Sequence, residues 1–148
     1  MPHPLERAFP NLLASGYAIT SPRDRDYNCI AWAASDTSTF WWPSPFTYWP
    51  AGIPREVSLS AFTQAFQSLN YELCSDGALE EGFEKVALFA RADGTPTHMA
   101  RQLESGSWTS KLGVSEDIRH DDVSGVVGAI YGSVVSYFKR VRVAAPAP

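Results

Sequence analysis

Cysteine is scarce in this chain. Only Cys29 and Cys74 occur among 148 residues, which leaves no disulfide framework to hold a loop-rich fold. Long apolar runs are missing too, and none approaches the roughly 20 residues that a membrane-spanning helix needs. The opening stretch Met1-Pro2-His3-Pro4-Leu5-Glu6-Arg7 has no basic segment followed by an apolar one, so no signal peptide is read there. Positive charge is also short. Twelve Lys and Arg against 16 Asp and Glu give a net −4 and a pI near 5.3, which argues against nucleic acid or a membrane surface as partner. A reduced, cytoplasmic protein is expected, with export by a route lacking a cleaved signal left open. No internal repeat is seen.

What remains is an ordinary globular composition, 45% apolar and 19% charged, long enough for one domain over residues 1–148 with a substantial core. Aromatics reach 13% and cluster. The segment Phe40-Trp41-Trp42-Pro43-Ser44-Pro45-Phe46-Thr47-Tyr48-Trp49-Pro50 carries six rings and three prolines. The prolines exclude a helix interior or central strand, so this is a loop lying on the domain or lining a groove.

Residues 1–27 read as an irregular arm and 144–148 as a disordered tail. Asn28 is a helix N-cap for a short helix from Cys29 to about Ser35, and Ser58 caps a second from Leu59 to about Leu69. Leu59, Phe62, Phe66 and Leu69 form its apolar face. Strand signals follow at Tyr71–Cys74, Lys85–Arg91, Thr97–Leu103, Trp108–Leu112 and Ser136–Val143. The Asp93-Gly94 pair makes a hairpin turn, and a turn centred on Ser105-Gly106 sets Leu103 opposite Trp108 and His98 opposite Gly113. A short helix is expected over Val123–Ala129. Helix first and antiparallel meander second predicts an α+β fold.

Two residues carry the chemistry. Cys29 opens a helix, where the dipole favours thiolate over thiol, and His98 opens a strand on a face shared with Ala100 and Gln102. Brought together, they make a thiol nucleophile and its proton shuttle. Against this stands the ordinary fate of a free cysteine, buried as a small hydrophobe, which is also the expectation for Cys74. Trp41, Trp42 and Trp49 are divided between packing and substrate binding, and Arg101 with Lys111 reads as a solvated charged face. Cys29, His98, Asp117 and His120 could meet at zinc, but no close-spaced ligand pair occurs; neither metal nor cofactor is expected.

The blocks Tyr27-Asn28-Cys29-Ile30-Ala31-Trp32-Ala33, Thr97-His98-Met99-Ala100-Arg101-Gln102-Leu103, Trp108-Thr109-Ser110-Lys111-Leu112-Gly113 and Asp117-Ile118-Arg119-His120 resemble an uncharacterised bacterial family that carries them in that order. More distantly, their order resembles papain-like cysteine hydrolases of the NlpC and CHAP type. That likeness implies a nucleophile helix packed on an antiparallel sheet, Cys29 as nucleophile and His98 as general base. It implies a peptide or protein substrate. The residue orienting the imidazole is open among Ser110, Asp117 and His120, with Asp117 preferred because a carboxylate best steadies an imidazolium. The Cys29 amide with a donor from Asn28 or Arg25–Tyr27 would form the oxyanion hole. The glutamine that papain-like peptidases place shortly before the cysteine is missing. A non-catalytic interaction module using the loop 40–50 is the alternative.

Overall fold

A computed structural model describes residues 3–22, 24, 26–112 and 116–142. Its centre is a seven-stranded sheet in the order β1-β6-β5-β4-β3-β7-β2, every pairing antiparallel. The strands are β1 (Tyr17–Ser21), β2 (Glu72–Cys74), β3 (Phe83–Ala90), β4 (Pro96–Gln102), β5 (Trp108–Lys111), β6 (Asp117–His120) and β7 (Ser133–Val141). Helices are α1 (Pro4–Ala8), α2 (Leu12–Ser15), α3 (Cys29–Ala33) and α4 (Leu59–Gln67), with a 3-10 turn at Val123–Val126. The fold is α+β.

Each face of the sheet carries its own core. On one, Val86, Leu88, Met99 and Phe138 pack against Ile30, Ala31 and Ala33 of α3, Phe62 and Phe66 of α4, and Trp41 and Trp49. Alanines let α3 approach the strands closely. In α4 the Ser58 hydroxyl accepts from the Ala61 amide at 3.1 Å, and fully burying Phe62 or Phe66 is worth about 1.5–3 kcal/mol each. On the other face Ala87, Phe89, Ala100, Trp108 and Ile118 meet Phe9, Leu12 and Val126.

Four expectations need correction. The arm 1–27 holds two short helices and β1, whose pairing with β6 satisfies backbone groups that either short segment would leave open. The acidic stretch before Val123 contains β6, a strand that was not expected. The β4–β5 register is shifted by one, Gln102 standing opposite Trp108 and Arg101 opposite Thr109, because the loop closes through the Leu103 amide on the Ser107 carbonyl. Arg101 and Lys111 form no solvated face. β5 is an interior strand beneath α3, so Lys111 is fully buried, 4.9 Å from the Tyr27 ring centre, and the Arg101 guanidinium lies 4.8 Å over Trp32. Arg25, Gly113 and the tail 144–148 lie outside the described residues.

Candidate functional site

The site starts at the capped end of α3. The Asn28 side chain accepts from the Ala31 amide at 3.2 Å and the Trp41 amide at 3.1 Å, and donates to the Trp41 carbonyl at 2.7 Å. Its carboxamide therefore fastens the aromatic loop to the helix, with one of its two N–H donors given to the Trp41 carbonyl. The Cys29 sulfur receives the amides of Cys29, Ile30 and Met99. These favour thiolate, but burial outweighs them and pushes the thiol up to about 11. Above the sulfur lies a depression of about 340 Å³ lined by Asn28, Cys29, Phe40 and Trp42.

His98 sits in β4 and is fully buried. Its Nε2 lies 3.0 Å from Ser110 Oγ, Ser110 Oγ lies 2.8 Å from His120 Nε2, and His120 Nδ1 lies 2.8 Å from the Asp122 carbonyl oxygen. Burial lowers both imidazole pKa values, His98 the further, so both rings are neutral near pH 7. The direction of the chain then follows from its end. A carbonyl only accepts, so His120 carries its proton on Nδ1 and offers a lone pair at Nε2. Ser110 donates to that lone pair and accepts from Nε2–H of His98. The remaining nitrogen, His98 Nδ1, is left as a bare lone pair, buried with no hydrogen-bond partner.

The Tyr131 ring stacks on His98 with centroids 4.0 Å apart and planes 7° from parallel, and Phe89 meets His98 edge-on at 5.2 Å. His98 faces the Phe89 side of the sheet, whereas α3 packs on the Met99 side. Cys29 reaches β4 at the Met99 amide, the residue after His98. No hydrogen bond joins the sulfur to the imidazole among the described residues. The dyad is open.

Comparison with known proteins adds one finding. A family described as a domain of unknown function (DUF7689) matches residues 18–139. The chain belongs to that family. No curated protein and no solved structure matches it.

The remaining residues expected at the site fall as follows in this DUF7689 chain. Ser110 and His120 are brought to His98. Asp117 is not: its Oδ2 accepts from Tyr27 Oη at 2.6 Å and its Oδ1 stands 4.0 Å from Lys111 Nζ. It belongs to the α3 side of the sheet, because Asp117 and His120 are an odd number of residues apart on one strand. Trp41 and Trp49 are buried in the core, their indole N–H groups donating to Asp36 at 2.8 Å and the Pro54 carbonyl at 2.9 Å. That packing keeps both rings from serving as a substrate platform. Trp42 is half-buried, edge-on to Phe62, and lines the depression over Cys29. Tyr131 and the Asp122 carbonyl were missed by sequence reasoning. The glycines around Gly128-Ala129-Ile130-Tyr131-Gly132 were the available signal. Gly132 has φ +75°, and a Cβ there would stand 2.0 Å from the Ala90 carbonyl oxygen, so only glycine lets this turn carry Tyr131 against β3.

Among the described residues no His, Cys, Asp and Glu side chains group as a metal site, and no helix is long and apolar enough to cross a membrane.

Proposed function

We propose that this DUF7689 chain is a papain-like cysteine hydrolase acting on an amide of a peptide or protein, in the cytoplasm. The observation that carries the reading is the bare Nδ1 of His98. A buried nitrogen without a partner costs about 1–3 kcal/mol, and the Ser110–His120–Asp122 chain maintains it by holding the proton on Nε2. This is the tautomer a general base needs. Nδ1 takes the Cys29 thiol proton as sulfur attacks the acyl carbonyl, and the Cys29 amide is a donor for the developing oxyanion. Nδ1–H then protonates the leaving amine as the C–N bond breaks, leaving a thioester. Water attacks the thioester, giving a proton to Nδ1, and the C–S bond breaks to return the thiol. The step requires Cys29, which meets β4 at the Met99 amide on the face opposite His98, to be carried onto Nδ1 by a rearrangement on substrate binding.

The second reading is a non-catalytic interaction module. The raised thiol pKa and the open dyad favour it, and Phe46 and Tyr48, exposed on the loop 40–50, would supply its surface. Alkylation of Cys29 by iodoacetamide, followed by intact mass against pH, decides. A hydrolase reacts near pH 6–7 and loses about tenfold or more in His98→Gln. A rate that climbs only above pH ~8 and ignores His98→Gln describes an ordinary thiol and the module.

A further inference from the structure

A second depression, about 260 Å³, borders Trp42, Val57, Arg91, Ile130 and Tyr131. It shares Trp42 with the depression over Cys29, and its Tyr131 is the ring stacked on His98. The two hollows therefore touch both halves of the proposed dyad, one directly and one through Tyr131, with the Trp42 indole as common wall.

The chemistry of this wall is lopsided. Val57 and Ile130 are exposed apolar side chains, 46% and 44% accessible, and half-buried Trp42 lines both hollows. Among the described residues Arg91 is the one charged residue lining either hollow. It is exposed and makes no ion pair among the described residues. Asp93 is close enough to feel its charge, yet that carboxylate is turned to the Thr95 amide at 2.9 Å. A guanidinium beside an apolar shelf, with no carboxylate in the lining, selects a ligand that is apolar at one point and anionic at the next.

We infer that the substrate is a peptide carrying an apolar side chain that rests on Trp42 and an acidic residue next to it that pairs with Arg91. The inference rests on the hydrolase reading and names its specificity. Adjacent residues of an extended peptide advance about 3.3–3.6 Å each, so neighbouring side chains of one peptide are the source proposed for both groups. The pair is partly exposed, so its contribution is modest, about 2- to 5-fold in rate.

Two probes differing in one atom group test this: chloroacetyl-Leu-Glu-amide and chloroacetyl-Leu-Gln-amide, with Cys29 modification followed by intact mass. The Glu probe is expected to react about 2- to 5-fold faster. Arg91→Gln, an exposed substitution, removes that preference and leaves the iodoacetamide rate unchanged, and Arg91→Lys restores part of it. Equal rates for the two probes on a Cys29 that iodoacetamide does label overturn the inference. A parallel titration with unreactive acetyl-Leu-Glu-amide and acetyl-Leu-Gln-amide, read at the Trp42 indole N–H resonance, separates the two claims. A Glu-dependent shift of that resonance with an inert Cys29 keeps the groove and rejects the hydrolase. No shift with either peptide, whatever the thiol does, rejects the groove.

Discussion

Ser110 Oγ bridges two imidazoles, 3.0 Å from His98 Nε2 and 2.8 Å from His120 Nε2, and one hydroxyl thereby sets the tautomer of both rings. Ser110→Ala removes the bridge and leaves Nε2–H of His98 and the lone pair of His120 buried and unmatched. Expected is a loss of about 1–3 kcal/mol in urea unfolding. His98 also gains freedom to move its proton to Nδ1. Imidazole ¹⁵N shifts that mix the two tautomers in Ser110→Ala, against a single one in the wild type, carry the point. Unchanged ¹⁵N shifts would show that something other than Ser110 fixes the ring.

Acid should unfold this protein through the same pair. His98 and His120 both have folded pKa values below 6.5 because burial disfavours their charged forms. A depressed folded pKa contributes stability that is present above the unfolded value near 6.5 and is lost as pH falls toward the folded value. Below pH 6.5 the unfolded chain binds protons that the native chain does not, so stability declines by up to about 1.4 kcal/mol per pH unit for each imidazole. Urea midpoints between pH 7.5 and 5 measure the slope, and His98→Gln should reduce it. A flat profile across that range would mean that the imidazoles are not held neutral.

The β4–β5 register explains why Asp117 was preferred to Ser110 from sequence. A turn centred on Ser105-Gly106 would put Ser110 beside Arg101, on the face away from His98. The actual loop shifts pairing by one residue, and a one-residue shift exchanges every side chain between faces. Polarity gave no warning, because β4 and β5 are buried on both sides and so lack the alternation that reports a half-solvated strand. Helix starts were legible for the opposite reason. Asn28 and Ser58 cap through their own side chains, a local bond that needs no knowledge of the rest of the fold. β1 was hidden because its one sheet partner, β6, lies about a hundred residues further along the chain.

Gly132→Ala tests the turn that holds Tyr131 over His98. The added Cβ would lie 2.0 Å from the Ala90 carbonyl oxygen at a φ of +75°, and the clash is with backbone, which cannot swing aside. A cost of more than about 1–3 kcal/mol is expected from the strained conformation alone, read as a lower thermal midpoint. Gly82→Ala, also at positive φ but with nothing within 4 Å of its Cβ, should cost visibly less. Equal losses in the two variants would reduce the effect to glycine conformation and remove the role of the close approach.

Asp117 and Lys111 give the sharpest contrast between a structural and a catalytic carboxylate. Both are fully buried, they face each other directly across β5 and β6, and Tyr27 Oη donates to the far oxygen. Burial lowers the Lys111 pKa and Asp117 raises it in partial compensation. Asp117→Ala removes the largest of the carboxylate contributions to Lys111, leaving those of Asp24 and Glu116, and should cost up to about 3–5 kcal/mol. Lys111→Met together with Asp117→Leu removes both charges and should recover much of the loss, because two buried charges exchanged for apolar groups of similar volume leave no unpaired ion. Neither variant should change the His98 imidazole ¹⁵N shifts, since Asp117 lies on the opposite face from the His98–Ser110–His120 chain. If Asp117→Ala folds and mixes the two His98 tautomers, the carboxylate governs the imidazole after all, and the assignment of that role to Ser110 is wrong.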